Sequence, residues 1–441
     1  MRKDSPIYQY TNGGIPDMIL ALVLFLITYV LMIALPKYRA YVAFASAVLF
    51  VVLGILPIRS VFPAVDWNVI LMIAGTMGVV DLFIESRMPA RLADLIIKKV
   101  PDIKWTIIAL SVFAGVVSAF VDNVATVLMV APVAITIAKK LNISPVPSVI
   151  AIAIASNLEG AATLVGDTTS ILLGGYAGMD FLDFFWIAGK PGMFWIVQIG
   201  LVAATAVLLV VFRAYRQRVD IEKITPVEDY FPTILLLGTI VLLIVASFIP
   251  EKPAITNGLI CVTLMVIGVT YETIRQRRIE ILKRTLGQMD YFTLLLLASL
   301  FVVIAGIKEA GVIDRIAALF VAIGGNSIFV MYTILLWASV LLSAFIDNIP
   351  YVATMLPVVT SISAVMNIDP TLFYFGLLAG ATLGGNLTPI GASANIMGLG
   401  ILRKNGHVVS NATFMKISIP YTLAAVTSAY VLLWVIWQVL A

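Results

Sequence analysis

Two long apolar blocks with an acid at their centre constrain this chain more than any other feature. The first contains SAFVDNVATVLMVAPV at 118–133, and the second contains SAFIDNIPYVATMLPV at 343–358. The complete blocks, about 105–138 and 328–365, are each too long for a single membrane span. Irregular backbone within a membrane must be buried in protein or line a cavity, which suits a helical hairpin that enters the membrane and turns back. We therefore predict two re-entrant hairpins, each with an Asp-Asn pair at its tip.

The rest of the chain is typical of a polytopic membrane protein. Of its 441 residues, 61% are hydrophobic and 12% are charged, whereas soluble domains contain about 25% charged residues. We predict ten spanning helices, and we expect the first to be retained, because its apolar run is too long for a signal peptide. The predicted spans are about 15–35, 38–58, 66–86, 148–172, 190–212, 231–250, 254–273, 290–307, 370–398 and 418–440.

The two halves of the chain are related by an internal repeat. The Asp-Asn pairs are 225 residues apart, and at this offset TLVGDTTSI from Thr163 matches TPIGASANI from Thr388. Each half has five spans and one hairpin, so an odd number of crossings turns the second copy upside down. We predict an all-α polytopic membrane protein with two inverted-topology repeats. The predicted parts are repeat 1 at 1–212, a cytoplasmic linker at 213–229, repeat 2 at 230–441, and broken helices at about 148–172 and 370–398.

The distribution of basic residues predicts the orientation in the membrane. With both hairpins re-entrant, seven of the 28 Lys and Arg fall on the side of the N-terminus, and the rest fall on the opposite side. Cytoplasmic loops are enriched in Lys and Arg, so we expect both termini to be external in the cell (inner) membrane. The amphipathic stretch 88–103 is predicted to lie in the membrane interface and to brace the first hairpin.

The hairpin tips combine groups that can bind a cation. At each tip one helix ends with unpaired carbonyls and the next begins with unpaired amides. N-capping is the simplest interpretation of Asp and Asn at these positions. However, an acid at the bilayer centre costs about 2.5–3.5 kcal/mol, and Ser would cap nearly as well. We therefore predict an ion site, with Na⁺ as a candidate ligand, at Asp122, Asn123, Asp347 and Asn348.

The two broken helices supply a second group of candidate residues, some of which differ between the repeats. Asp167 corresponds to Ala392, and Glu159 corresponds to Gly384. Ionisable residues inside a membrane are candidates for function by default, although Asp167 could simply cap a helix and Asn side chains often only join helices. The further candidates for binding are Thr163, Gly166, Asp167, Thr168, Thr388, Gly391, Ser393 and Asn395, and those for coupling are Glu159, Asn157 and Asn386.

These motifs resemble those of the ion transporter superfamily. The match is greatest with the branch that holds arsenite permeases, NhaD-type sodium–proton antiporters and pink-eyed-dilution P permeases. It is carried by the two hairpin motifs, by GAATLVGDTTSILL and by GGNLTPIGASANIMGLGI. The resemblance implies a scaffold domain, a transport domain that moves like an elevator, and a homodimer. Dicarboxylate carriers of this superfamily have Ser-Asn-Thr at the tips, where this chain has Asp122-Asn123-Val124 and Asp347-Asn348-Ile349.

Several functions remain open from the sequence. Cation/proton antiport coupled to Na⁺ or H⁺ is favoured, because a carboxylate can bind either ion. Efflux of arsenite or another anion could use the hydroxyls of the broken helices, and di- or tricarboxylate transport is a further alternative. An intramembrane aspartyl protease is remote, because its Gly-x-Gly-Asp element is absent. We expect no enzyme activity, no cofactor other than bound Na⁺, no nucleic acid, and a small ion or solute, lipid and a second copy as partners.

Overall fold

The computed structural model describes residues 15–217, 224–277, 280–325 and 327–440. Within these ranges the regular structure is helical, apart from a short β-hairpin that pairs Trp186–Ile187 with Lys190–Pro191. Eight of the described helices are long and apolar enough to cross a membrane. The predicted all-α polytopic fold is therefore confirmed. Arg2 and Lys3, two of the seven basic residues on the side of the N-terminus, and residues 218–223 of the predicted linker lie outside the described ranges.

The first half of the chain contains the elements that the repeat predicts, together with short helices between them. Hairpin 1 is formed by α6 and α7, and the first broken helix is formed by α8 and α9, with its break at 160–167. The bounds are α1 Ile15–Ala34, α2 Arg39–Val52, α3 Ile58–Ala64, α4 Trp67–Glu85, α5 Met88–Ile97, α6 Ile103–Ser118, α7 Asn123–Lys140, α8 Val146–Glu159, α9 Thr168–Ala177 and α10 Met193–Val211.

The second half repeats this order helix by helix. Hairpin 2 is formed by α16 and α17, and the second broken helix is formed by α18 and α19, with its break at 385–392. The bounds are α11 Phe231–Ser247, α12 Thr256–Gln276, α13 Glu280–Gln288, α14 Tyr291–Glu309, α15 Val312–Gly324, α16 Ile328–Ser343, α17 Asn348–Met366, α18 Thr371–Gly384, α19 Ser393–Lys404 and α20 Asn411–Trp434.

Helix packing follows the pseudo-two-fold symmetry of the inverted repeats. α2 packs on α14, and its counterpart α12 packs on α4; likewise, α7 packs on α19 and α17 packs on α9. The helices α10 and α20, which correspond to each other, pack together. We call α1, α2, α4, α11, α12 and α14 the flanking set. The two hairpins, the two broken helices, α10 and α20 form the central set.

Each hairpin folds back along the first half of a broken helix. Both α6 and α7 contact α8, and both α16 and α17 contact α18. At the tip of hairpin 1, the Ser156 hydroxyl donates to the backbone oxygen of Asn123 at 2.9 Å, and its Oγ lies 3.0 Å from Ser118 Oγ. Because α8 starts beside the open end of hairpin 1 and reaches its tip, both arms lie along one half-helix. This packing is what a re-entrant hairpin requires.

Helix boundaries differ from the predictions mainly near glycine and proline. The predicted span at 38–58 is shorter in the structure, because α2 ends at Val52, Gly54 adopts a φ of +75°, and Pro57 precedes α3. Glycine adopts such a left-handed conformation without steric cost, which ends the helix. α20 begins earlier than predicted, at Asn411, and α5 forms within the predicted interfacial stretch.

Candidate functional site

Three carboxylates cap the helices that start at the hairpin tips and at the first break. Asp122 Oδ2 accepts hydrogen bonds from two backbone amides of α7 at 3.0 and 3.1 Å. Asp347 Oδ1 accepts one from α17 at 3.1 Å, and Asp167 Oδ1 accepts one from α9 at 2.8 Å. Each cap engages one oxygen of the carboxylate. The local capping role is therefore real, and the second oxygen of each acid is left for other partners.

Threonine hydroxyls dock each hairpin tip onto the break of the neighbouring helix. Thr163 in the first break donates to the backbone oxygen of Ala119, at the tip of hairpin 1. Thr388 in the second break donates in the same way to the backbone oxygen of Ala344, at the tip of hairpin 2. Both hydroxyls are thus committed to backbone groups, and they position the site without lining the cavity described below.

The break glycines allow the hairpin tips to approach closely. A Cβ on Gly166 would lie 2.9 Å from the backbone oxygen of Ser118, and a Cβ on Gly391 would lie 2.8 Å from that of Ser343. Real Cβ atoms do not tolerate contacts this short with backbone, so only glycine fits. Asn395 Nδ2 donates to two backbone oxygens of the second break, each at 3.1 Å. Gly166, Gly391 and Asn395, which the sequence predicts as binding residues, therefore support the site through close packing and backbone hydrogen bonds.

Asparagines join the two halves at the centre of the molecule. Asn157 Nδ2 donates to the backbone oxygen of Thr382 at 2.6 Å and lies 3.2 Å from Asn386 Oδ1. Asn386 Nδ2 in turn donates to the backbone oxygen of Ile154 at 2.8 Å. Asn123 Nδ2 donates to Asn157 Oδ1 at 3.1 Å. The structure places Asn157 and Asn386 as links between α8 and the second broken helix, where buried amides stabilise helix contacts.

A cavity of about 580 Å³ lies between the flanking and central sets, where α4 ends and α14 begins. Both hairpin tips and both broken helices contribute to it. Asn348 Nδ2 on hairpin 2 lies 3.4 Å from Asp167 Oδ2 at the first break. The cavity therefore brings distant parts of the sequence together. The sequence-predicted residues that line it are Asp122, Asn123, Asp167, Thr168, Asn348 and Ser393.

The flanking set adds charged groups that the sequence reasoning did not assign to the site. Asp81 on α4, Asp290 before α14 and Arg39 at the start of α2 all line the cavity. Asp81 lies inside a predicted span, and that position alone marks an acid as a functional candidate. Asp290 lies at the start of the predicted span 290–307, where a charged residue is ordinarily interfacial. Arg39 lies at the end of a predicted span, where basic residues are common. Its position in the sequence therefore does not mark it as a functional candidate.

The lining of the cavity carries more acidic than basic side chains. Asp81, Asp122, Asp167 and Asp290 contribute carboxylates, while Arg39 is the one basic side chain among the described lining residues. Asp122 and Asp167 both line the cavity, and two like charges that share one site repel each other. Acidic clefts with low-dielectric walls concentrate cations. A bound cation or proton would relieve the repulsion among these carboxylates.

No group of three or more His, Cys, Asp and Glu side chains within the described ranges is arranged to share a metal ion. A monovalent cation beside Asp122 would therefore depend on mixed oxygen ligands. The nearby candidates are the carboxylate of Asp167, the amide oxygens of Asn123 and Asn348, and the hydroxyl of Thr168. Carboxylates, amide oxygens and unwound backbone are the ligands that transporters use for Na⁺. The Na⁺ site at the tips stays a prediction.

Glu159 faces away from this cavity, into the contact of α8 with α6 and α10. Its Oε2 accepts a hydrogen bond from Gln198 Nε2 at 2.6 Å, and its Oε1 is buried without a partner among the described residues. Gly115 makes room for it, since a Cβ there would lie 3.0 Å from Glu159 Cγ. At the repeat offset, Glu159 corresponds to Gly384 and Gly115 corresponds to Val340. Repeat 1 thus holds a buried acid where repeat 2 has simple packing.

A second cavity, of about 610 Å³, lies at the other end of α4 and α14. Its lining includes Asp66, which corresponds to Asp290 of the first cavity at an offset of 224 residues. It also includes residues from 301–308, which correspond to 77–84 of the first cavity at the same offset. The two cavities are therefore counterparts under the pseudo-two-fold symmetry. Asp122 lines the first cavity, and neither Asp122 nor Asp347 is among the described lining residues of the second. Asp122 and Asp167 thus face the first cavity and not the second.

Inverted repeats, interrupted helices and a polar cavity where the breaks meet together define a secondary transporter. The family comparison agrees: the chain belongs to the citrate transporter family, whose model matches residues 28–380. The sequence-based identification of the ion transporter superfamily is therefore confirmed.

Relatives with known sequences or structures extend over nearly the whole chain. An uncharacterized transporter of Mycobacterium tuberculosis is 32% identical over 94% of this chain and 98% of its own length. The P protein of Homo sapiens is 25% identical over 95% of this chain and 60% of its own length. The solved structure of the YdaH transporter of Alcanivorax borkumensis has a TM-score of 0.59 at 15% identity, covering 95% of this chain and 98% of that one. These similarities support the fold and the transporter class.

Proposed function

We propose that this transporter exchanges a small cation, with Na⁺ as the first candidate, for protons at the acidic cavity. The observation that carries the proposal is the convergence of Asp122 and Asp167 on one cavity, beside Asn348 of the opposite hairpin. A carboxylate can hold either a metal cation or a proton, so one occupant must leave before the other binds. This competition yields exchange without ATP, provided that the site faces the two sides alternately.

Alternating access would come from movement of the central set against the flanking set. The two cavities occupy matching positions in the two repeats, so a shift of the central set would move the site from the first cavity towards its counterpart. Leu128, which lines the first cavity, is 43% exposed, whereas its repeat counterpart Ala353 in the second cavity is 5% exposed. The elevator movement and the homodimer that the resemblance implies are both part of this proposal. A dimer would hold the flanking set still while the central set moves.

Transport by the purified protein in proteoliposomes tests this function. A pH-sensitive dye inside the vesicles would report proton movement when Na⁺, Li⁺ or K⁺ is added outside. We expect Na⁺ or Li⁺ to drive proton movement in vesicles that contain the protein, and we expect no response in empty vesicles. Proton movement that is absent with every cation would exclude the exchange proposal.

Anion transport is the second candidate, because the chain belongs to a citrate transporter family and Arg39 lines the cavity. Guanidinium groups bind carboxylates well. For arsenite or another oxyanion, Thr168 and Ser393 are the hydroxyls in the cavity, since Thr163 and Thr388 are committed to backbone oxygens. The same vesicles, loaded with labelled citrate or arsenite, distinguish these cases. Uptake of either anion without a response to cations would favour this candidate.

Asp167 is expected to control ion selectivity and the pH profile of transport. Its Oδ2 accepts a hydrogen bond from the Thr169 hydroxyl at 2.9 Å and faces Asn348. Asp167→Asn keeps an oxygen for the cap but removes the charge, so we expect at least a tenfold rise in the cation concentration at half-maximal rate, and a flatter pH profile. Thr169→Val is the matched control, because it removes one neutral hydrogen bond. An Asp167→Asn profile that overlays the wild type would restrict Asp167 to capping.

Glu159 is expected to carry a coupling proton at a position separate from the cavity. Burying an ionised, unpaired carboxylate is costly, so Glu159 is favoured in its protonated form while it stays in this packing. Glu159→Gln should keep the hydrogen bond with Gln198 and preserve binding at the cavity, but it should lower proton movement per transported cation. Fluxes of labelled cation and protons, measured in the same vesicles, give this ratio. An unchanged ratio would make Glu159 a packing residue.

A further inference from the structure

One ion pair connects the flanking set directly to the tip of hairpin 2. Arg39 Nη1, at the start of α2, lies 2.5 Å from Asp347 Oδ2. The two side chains are only 17% and 12% exposed. Arg39 also lies over the ring of Phe292 on α14, 5.9 Å from its centroid, so it is held on the flanking side. The guanidinium therefore occupies the place that a mobile cation would take at this carboxylate.

We propose that Asp347 is a latent cation site, which Arg39 occupies in this conformation and vacates when the central set moves. This proposal rests on the alternating-access movement described above. Arg39 belongs to α2 and stays with the flanking set, whereas Asp347 belongs to hairpin 2 and moves with the central set. Movement therefore separates the pair. A mobile monovalent cation then takes the position of the guanidinium beside Asp347.

The two hairpin tips are chemically different because of this arginine. Asp122 lines the cavity and has no basic partner among the described residues. On α12, the counterpart of α2, neither the first residue, Thr256, nor the residues at the repeat offset, Thr263 and Leu264, carry a charge. The asymmetry assigns different tasks to the two acids. Asp122 accepts a cation from solution in the present conformation, while Asp347 is neutralised by the protein itself.

Separating the pair without a replacement would leave two charges buried and unpaired. Removing one partner from a buried ion pair is strongly unfavourable, by roughly 10²- to 10³-fold in the population of the resulting state. An empty central set would therefore rarely leave this conformation. A cation that replaces Arg39 at Asp347 removes this penalty, so the pair prevents movement without a bound ion. This requirement couples transport to the cation.

Thiol labelling can measure the effect of Arg39 on conformation. The protein would carry Cys261→Ala and one new cysteine, Leu128→Cys, since Leu128 is exposed here and its counterpart Ala353 is buried. A hydrophilic maleimide would be added to the purified full-length protein in N-methylglucamine chloride or in NaCl. With Arg39 present, we expect fast labelling in N-methylglucamine chloride and at least tenfold slower labelling in NaCl. Val408→Cys, at a residue 86% exposed, controls for effects of salt on the reagent.

Substitutions of the pair then identify the role of its charge. We expect Arg39→Gln and Asp347→Asn each to slow labelling in N-methylglucamine chloride about tenfold, and the double variant to match Asp347→Asn alone. Arg39→Lys should retain the response to Na⁺. Tyr29→Phe is the matched control, because Tyr29 donates a neutral hydrogen bond to the Pro350 backbone oxygen at 2.6 Å across the same contact. It should shift labelling much less than Arg39→Gln.

Labelling of Arg39→Gln at the rate seen with Arg39 in N-methylglucamine chloride would overturn the proposal. If Arg39→Gln does not fold, the same labelling comparison is made with Asp347→Asn, and an unchanged labelling rate in that variant would overturn the proposal. The transport assay separates this inference from the proposed function. Loss of transport in Asp122→Asn, together with normal labelling in Arg39→Gln, would reject only the latent site. Sodium-dependent labelling without proton movement for any cation would reject only the exchange proposal.

Discussion

Asp122→Asn is expected to reduce cation-driven proton movement at least 100-fold while the protein stays folded. Asn and Asp are similarly good N-caps, so the two backbone hydrogen bonds at the start of α7 can be retained. The substitution removes only the negative charge from the tip of hairpin 1. The measurement is the initial rate of proton movement in proteoliposomes, with the thermal unfolding midpoint of the purified variant as the check on folding.

Asp122→Ser completes this test, because Ser also caps helices but supplies a neutral hydroxyl. The charge interpretation predicts that both variants lose transport and remain folded. A pure capping role predicts that both variants transport normally, while Asp122→Ala loses about 1 kcal/mol of stability. Wild-type transport by Asp122→Asn would therefore remove the cation site from hairpin 1, whatever the unfolding data show.

The sequence was sufficient to predict the fold because its strongest signals are local. The Asp-Asn pairs, the apolar blocks around them and the 225-residue offset indicate hairpins, spans and a repeat without any knowledge of contacts. Helix ends were less accurate. The end of α2 depends on Gly54 and Pro57, which compete with an otherwise continuous apolar run. A hydropathy profile alone therefore does not predict where α2 ends.

The site was only partly predictable, because a cavity between helices depends on which residues face it. Asp122, Asp167 and Asn348 line the cavity, whereas Thr163 and Thr388 are turned to backbone oxygens. Both groups look alike in the sequence, since all are polar residues near the breaks. Side-chain direction at a tip or break is set by tertiary contacts, and a pattern of spacing carries no information about it.

The charged residues of the flanking set were missed for a different reason. Asp81 stood inside a predicted span and could have been selected on that ground. Arg39 could not, because an arginine at the end of a span is ordinary and its partner Asp347 is 308 residues away. Long-range ion pairs leave no local pattern. The asymmetry between Asp122 and Asp347 is visible only once α2 has been placed beside hairpin 2.

Gly166→Ala and Gly391→Ala are each expected to lower the stability by about 3 kcal/mol or more. A Cβ on Gly166 would lie 2.7 Å from the Gly160 oxygen, and a Cβ on Gly391 would lie 2.6 Å from the Gly385 oxygen. These are backbone atoms, so no side-chain rotation can relieve the contact. Overpacking a well-filled interior costs about 1–3 kcal/mol when side chains can adjust, and rigid backbone raises this cost.

Gly400→Ala is the matched control for both glycine variants. Gly400 also lies in the second broken helix, but no atom would be within 4 Å of its Cβ, and Ala is favoured over Gly in helices by about 0.5–1 kcal/mol. Thermal unfolding and size-exclusion profiles of the three purified variants give the comparison. Because each break glycine also contacts a hairpin tip, the two alanine variants should lose tip docking and transport together. Unfolding midpoints equal to that of Gly400→Ala would show that these contacts do not hold the hairpin tips. The idea that the same contacts at the breaks support both stability and ion binding would then be wrong.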